Sequence, residues 1–201
     1  MNPLEIVAVV FTFTSILLAV KEKILTFPLA IIGTLLFTYI FFTQRVYASA
    51  SLQIVFLSFN IFGWWRWLHP KKEEAKADNT LSVSKLRKSE LLITLTITGI
   101  LYIILVYLIS HLHTWFPNVF QEARYVWIDN FILAASIVGQ YLMAVKKIEN
   151  WAWWLAVDVI AAPFYFFTVG WLTGLMYLAF IATGILGLIG WNKSMQQSKK
   201  Q

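Results

Sequence analysis

Seven apolar runs, each about as long as a bilayer's hydrocarbon core is thick, constrain this 201-residue chain more than any other feature. They lie near residues 3–20, 25–43, 46–68, 90–110, 128–145, 151–169 and 171–190. A helix needs about 20 apolar residues to cross a membrane, within a range of roughly 17–25. Strands are a poor reading of such runs, because an open sheet edge cannot be satisfied in lipid. The runs therefore predict an all-α membrane protein with seven transmembrane helices. The breaks are short and polar: Lys21-Glu22-Lys23, Gln44-Arg45, Lys146-Lys147-Ile148-Glu149-Asn150 and Val169-Gly170. Only 13% of residues are charged, against about 25% in soluble domains. The first run begins almost at Met1, with Glu5 and no basic residue before it, and reads as a retained helix rather than a secretory leader. Cysteine is absent, so disulfides, zinc–cysteine sites and thiol catalysis are excluded.

The net charge of +6 follows the breaks between runs, which is how topology is written, and does not form a nucleic-acid footprint. With the N-terminus outside, the outer segments hold only Arg45 and Arg124, and the other 14 of the 16 basic residues lie inside. The positive-inside rule then predicts a multi-pass protein of a cell (inner) membrane, N-terminus outside and C-terminus cytoplasmic. Residues 69–88 form the one long polar stretch and read as a cytoplasmic linker, partly disordered. The outer segment 111–124, with Trp115, Phe116 and Phe120, is expected to lie along the interface.

The chain also resembles itself. Leu18-Ala19-Val20-Lys21 returns as Met143-Ala144-Val145-Lys146, and Pro28-Leu29-Ala30-Ile31 as Trp154-Leu155-Ala156-Val157. Tyr39 answers Tyr165, Leu52 to Phe56 answers Met176 to Phe180, and Gly63-Trp64 answers Gly190-Trp191. The offset stays between 124 and 127. Helices 1–3 are thus expected to recur as helices 5–7, with helix 4 as the inversion linker. The predicted divisions are 1–68 (first repeat), 69–127 (linker, helix 4 and outer loop) and 128–201 (second repeat and tail). An odd number of helices per repeat plus one linker helix gives a 3+1+3 parallel repeat of the SWEET-like type, with a solute near the midplane.

Polar side chains inside spans are costly, about 2.5–3.5 kcal/mol for Asp at a helix centre. In the sixth run Trp151, Trp154, Asp158 and Tyr165 fall within about 60° of one another on a helix. Two indoles, a carboxylate and a phenol on one face suit a flat, cationic, hydroxylated ligand. The competing reading places Trp151 and Trp153 in an interfacial aromatic belt. Asp129, Ser136 and Gln140 share a stripe on the fifth run, and Gln53, Asn60 and Trp64 share one on the third. For Ser136 and Asn60, interhelical hydrogen bonding is the plainer alternative. Pro163 removes the bond to the Val159 carbonyl beside Asp158 and predicts a kink. Gly170, Gly174, Gly184, Gly187 and Gly190 read as close-packing positions.

Val46-Tyr47-Ala48, Leu52-Gln53 and Phe62-Gly63-Trp64-Trp65-Arg66-Trp67 together resemble the third-helix signature of the PnuC family of vitamin transporters. Gln140-Tyr141-Leu142-Met143-Ala144, Ile148-Glu149-Asn150-Trp151 and the W-x-x-W-x-x-x-D series ending at Asp158, then Pro163-Phe164-Tyr165, are similar to that family too. The resemblance implies import of nicotinamide riboside by facilitated diffusion, the product being trapped by a cytoplasmic kinase. It implies a homo-oligomer, with a trimer among the possible assemblies. By position Gln53, Gln140, Trp151, Trp154, Asp158 and Tyr165 would line the pocket, with Tyr177 as repeat partner of Gln53; Asn60 joins them from the third-helix stripe. The last motif position is Asn or Asp among relatives, and some relatives carry thiamine or other vitamins. Asp158 beside two tryptophans suits either cation.

Two other classes compete. A membrane enzyme needs paired acids with a nucleophile or a metal-ligand cluster. His111 and His113 form an H-x-H whose nearest acid beyond them, Glu122, is eleven and nine residues on, so neither a metal nor a cofactor is expected. A non-transporting partner subunit is the second class, and co-purification with an obligatory partner would mark it.

Overall fold

The computed structural model describes residues 3–43, 47–76, 79–120, 122–168 and 170–198. Among these, seven α-helices account for the fold: α1 (Pro3–Val20), α2 (Thr26–Thr43), α3 (Tyr47–Leu68), α4 (Lys88–Trp115), α5 (Val126–Ala144), α6 (Asn150–Thr168) and α7 (Trp171–Ser198). Each covers one apolar run. Among the described residues, six are long and apolar enough to cross a membrane. α3 is not counted with them; it carries Gln53, Ser58, Asn60 and Arg66 among apolar residues, and the side chains of its first five residues lie outside the described ones. Two helices overrun their apolar runs. α4 continues through His113 to Trp115, so the start of the segment expected along the interface is its last turn; α7 stays helical to Ser198 rather than ending in a tail at 190. Gln44, Arg45, Val46, Val169, Lys199 and Lys200, used above for breaks, motif or charge, lie outside the described residues.

The helices pack in the cyclic order α1, α2, α3, α5, α6, α7 and back to α1, each touching its two neighbours, while α4 packs on α5 from outside. A ring of six helices leaves a space along its axis. At one end of the ring α1, α3, α5 and α7 finish and α2, α4 and α6 begin. A buried cluster closes that end: Ala19, Phe27, Trp67, Leu81, Val83, Met143, Ile148, Trp151, Trp191 and Met195.

Leu81 and Val83 belong to the linker, which corrects the expectation of partial disorder for its described residues. A 3-10 turn spans Lys72–Glu74, and the linker then runs along the α5–α6 loop. The Ser84 amide donates to the Lys146 carbonyl (3.2 Å), the Ile148 amide to the Ser84 carbonyl (3.0 Å) and the Leu86 amide to the Glu149 carboxylate (3.1 Å). Alternation of apolar Leu81 and Val83 with polar Ser82 and Ser84 puts one face of this stretch in the core.

The ends of α1 and α5 have the same hydrogen bonds 124 residues apart. Glu22 N donates to Ala19 O and Lys146 N to Met143 O, both at 3.0 Å; Lys23 N donates to Leu18 O and Lys147 N to Leu142 O, both at 2.9 Å. This pair of bonds is the Schellman C-cap, whose C′ residue takes a left-handed conformation. Glu22 (φ 54°) and Lys146 (φ 58°) occupy it. The same spacing continues into the packing. A Cβ on Gly63 would collide with the Phe27 ring, and one on Gly187 with the Trp151 ring. The Trp67 indole donates to the Met143 carbonyl (3.3 Å), and the Trp191 indole to the Ala19 carbonyl (2.9 Å). Trp191 therefore corresponds to Trp67, not to Trp64, and Lys146 to Glu22, not to Lys21. Trp64 is exposed and outside the cavity, contrary to its expected place beside Gln53 and Asn60. Among the glycines of α7, Gly174, Gly184, Gly187 and Gly190 have close neighbours as expected; Gly170 instead stands in open space at φ 148°, as the turn between α6 and α7.

Candidate functional site

The axial space is a cavity of about 730 Å³ lined by all six ring helices. Gln53, Asn60, Gln140, Trp151, Trp154, Asp158, Tyr165 and Tyr177 all border it, so the ring brings together the eight residues expected to line a pocket. They do not contribute alike. Asp158 is buried, and among the described residues it has no hydrogen-bond or ion-pair partner. No Lys, Arg or His is among the described lining residues. A carboxylate held in such a place is best compensated by a cation or by hydroxyl donors from outside the protein.

Trp154 is half-buried, its indole lying over Gly139 of α5, where a Cβ would be 3.4 Å from the ring. Below the polar wall Trp151 plays a different part. It is 2% exposed, packs edge-on against Trp191 with centroids 5.5 Å apart, and fills the gap left by Gly187. It is cavity floor more than a free stacking face. Trp153 packs against the buried Ile132, Ala135, Val157 and Ala161 cluster.

On the α2–α3–α5 side a polar chain crosses three helices. Gln140 Nε2 donates to Asn60 Oδ1 (2.9 Å), Asn60 Nδ2 reaches Thr34 Oγ1 (3.4 Å), and Thr34 Oγ1 donates to the Ala30 carbonyl (2.7 Å). Asn60 is thus an interhelical tie as well as a lining residue. On the opposite side Tyr165 and Tyr177 stack with centroids 5.2 Å apart and an interplanar angle of 20°. The Tyr165 hydroxyl donates to Asp129 Oδ1 at 3.3 Å.

Asp129 is a second lining carboxylate, absent from the eight candidates although it shares the Ser136–Gln140 stripe of α5. That stripe was the available signal. His111 and His113 lie away from the cavity, with Nδ1 atoms against the carbonyls of Tyr107 and Phe120, and no metal-ligand cluster occurs among the described residues.

A ring of membrane-length helices around a chamber with aromatic, amide and acidic walls is the construction of a small-solute membrane transporter. The chain belongs to the nicotinamide mononucleotide transporter family, whose model matches residues 2–193. It is 28% identical over 173 residues to the nicotinamide riboside transporter PnuC of Escherichia coli K12, covering 79% of this chain and 72% of that protein. It is 23% identical to the PnuC of Neisseria mucosa, covering 100% of this chain and 77% of that one. The riboflavin/roseoflavin transporter RibM of Streptomyces davaonensis is 21% identical over 93% of this chain and 83% of its own length. A crystal structure of a vitamin B3 transporter PnuC superimposes with a TM-score of 0.69 at 21% identity, covering 98% of this chain and 85% of that one.

Proposed function

We propose that the chain imports nicotinamide riboside by facilitated diffusion, with phosphorylation by a cytoplasmic kinase trapping the product. The observation that carries this reading is Asp158, buried in an aromatic cavity whose described lining has no basic residue. A pyridinium ring can stack on Trp154 while its charge faces Asp158, and its ribose hydroxyls suit the amides of Gln53 and Gln140. Relatives named as nicotinamide riboside transporters support it. Thiamine, also a flat cation, is the second reading, on the same observation. Riboflavin, carried by the relative RibM, is neutral and would leave Asp158 uncompensated.

In this reading α1–α3 and α5–α7 are parallel repeats about an axis along the membrane normal, supported by the spacing of 124 residues in caps, glycines and indole bonds. The linker end faces the cytoplasm, supported by the basic residues gathered there. A homo-oligomer, with a trimer among its forms, is part of the proposal by the family likeness; light scattering of the purified protein tests it. The central experiment is uptake into proteoliposomes without ATP or an ion gradient. Labelled nicotinamide riboside should equilibrate; absence of uptake for both it and thiamine would sink the proposal. Trp154→Ala should weaken binding by about 0.5–2 kcal/mol, roughly 2- to 30-fold, in calorimetry.

A further inference from the structure

A carrier must open one end of its cavity at a time, and the linker end is closed by contacts that cross between the two halves of the ring. Glu22 comes from the α1–α2 loop and Lys146 from the α5–α6 loop. They are 124 residues apart, share the C′ position of the same cap, and carry opposite charges. Lys146 Nζ lies 3.0 Å from Glu22 Oε2, and Lys146 is 2% exposed. C′ favours glycine, and a left-handed side chain costs roughly 1–2 kcal/mol. Both loops nevertheless place a long charged residue there.

The surroundings make this pair the centre of the closure. Lys146 Nζ also donates to the Leu81 carbonyl (2.6 Å) and sits 4.3 Å from the Trp67 ring centroid. Lys76 Nζ donates to Glu22 Oε2 (2.9 Å) and to Ser194 Oγ (3.0 Å). The linker therefore holds both partners. The crossed indole bonds of Trp67 and Trp191 end on Met143 and Ala19, which line the cavity above. Any movement parting the halves here breaks the ion pair and both indole bonds together.

We infer that Glu22 and Lys146 form a lock holding the linker end of the cavity shut, and that the lock parts each time a solute leaves by that end. Charge suits this task better than a greasy contact. A buried pair is strongly attracted while water is excluded, and each ion regains hydration once the halves separate, so both states are tolerable. An apolar seal of the same size would gain nothing on opening.

The chain has no cysteine, so one introduced thiol reports alone. Ala30 lines the cavity on α2. In Ala30→Cys membranes, a charged thiol reagent supplied only at the linker face should react slowly. Adding Glu22→Gln or Lys146→Met should speed that reaction about tenfold or more, the change expected when about 1.4 kcal/mol is lost from the closed state. Folded single variants whose rate equals the reference overturn the lock. If Lys146→Met does not fold, Glu22→Gln decides alone, since Lys146 keeps the Leu81 carbonyl and the Trp67 face. The assay needs no solute, so its outcome is independent of which vitamin is carried.

Discussion

The two three-helix halves of the ring agree where they close the molecule and differ where they face its cavity. Phe27 and Trp151, Gly63 and Gly187, Trp67 and Trp191 hold matching places at the linker end. Carried upward, the same spacing sets Thr34 against Asp158, Ala30 against Trp154, Asn60 against Gly184 and Gln53 against Tyr177, all lining the cavity. At these paired positions one half supplies hydroxyl and amide groups, with Asn60 tied to Thr34 and, across to the other half, to Gln140. The other supplies indole, phenol and an unpartnered carboxylate. Closing needs like surfaces on both halves, whereas a solute with a charged ring at one end and hydroxyls at the other needs unlike ones.

The largest test of this contrast lies in the cavity. Asp158→Asn should weaken binding of a cationic ligand by about 2 kcal/mol or more, roughly thirtyfold, because its opposite charge is removed from a desolvated place. The matching Thr34→Ala should change it far less, since Thr34 is already committed to Asn60 and Ala30. Calorimetry on both variants would break the comparison if their losses were equal. Next come the glycines: Gly63→Ala and Gly187→Ala should each lower stability by about 1–3 kcal/mol through overpacking, read as thermal unfolding in detergent. A loss at one site only would mean that the halves do not close alike. Smaller still, Trp67→Phe and Trp191→Phe should each cost about 0.5–1.5 kcal/mol for one indole bond, by the same measurement.

The finest test is acid. Burial opposes ionisation of Glu22, but the charge of Lys146 and hydrogen bonds from Ser194, Lys76 and Lys146 outweigh it, so its carboxyl lies below the ordinary 4.5. A lowered value means that its stabilisation is complete above pH 4.5 and is lost as pH falls through the folded value. The acid limb of a stability profile should therefore flatten in Glu22→Gln.

Helix positions were legible because each span is mostly apolar and most breaks carry charge; α1 and α2 agree with their runs to within a residue. The far ends of α4 and α7 were not, since a helix need not stop where lipid does. The repeat was visible but its register was not. Trp64, Trp65 and Trp67 lie so close together that composition cannot say which of them answers Trp191; the indole bond to Met143 selects Trp67. Among the cavity residues, the α6 motif pointed to Trp154 and Asp158, but not to the burial of Trp151 against α7, which depends on a glycine 36 residues later. The linker read as cytoplasmic and partly disordered, because the Leu81–Val83 alternation was too short to outweigh its lysines and glutamates.

The linker lies across one end of the ring only, and this gives a nearly symmetric pair of halves a direction. For a carrier coupled to no energy source, microscopic reversibility forbids that asymmetry from setting how far solute accumulates. Under the proposed facilitated diffusion it can govern pace alone: passage in the two directions can differ in saturation, while kcat/KM must be the same both ways.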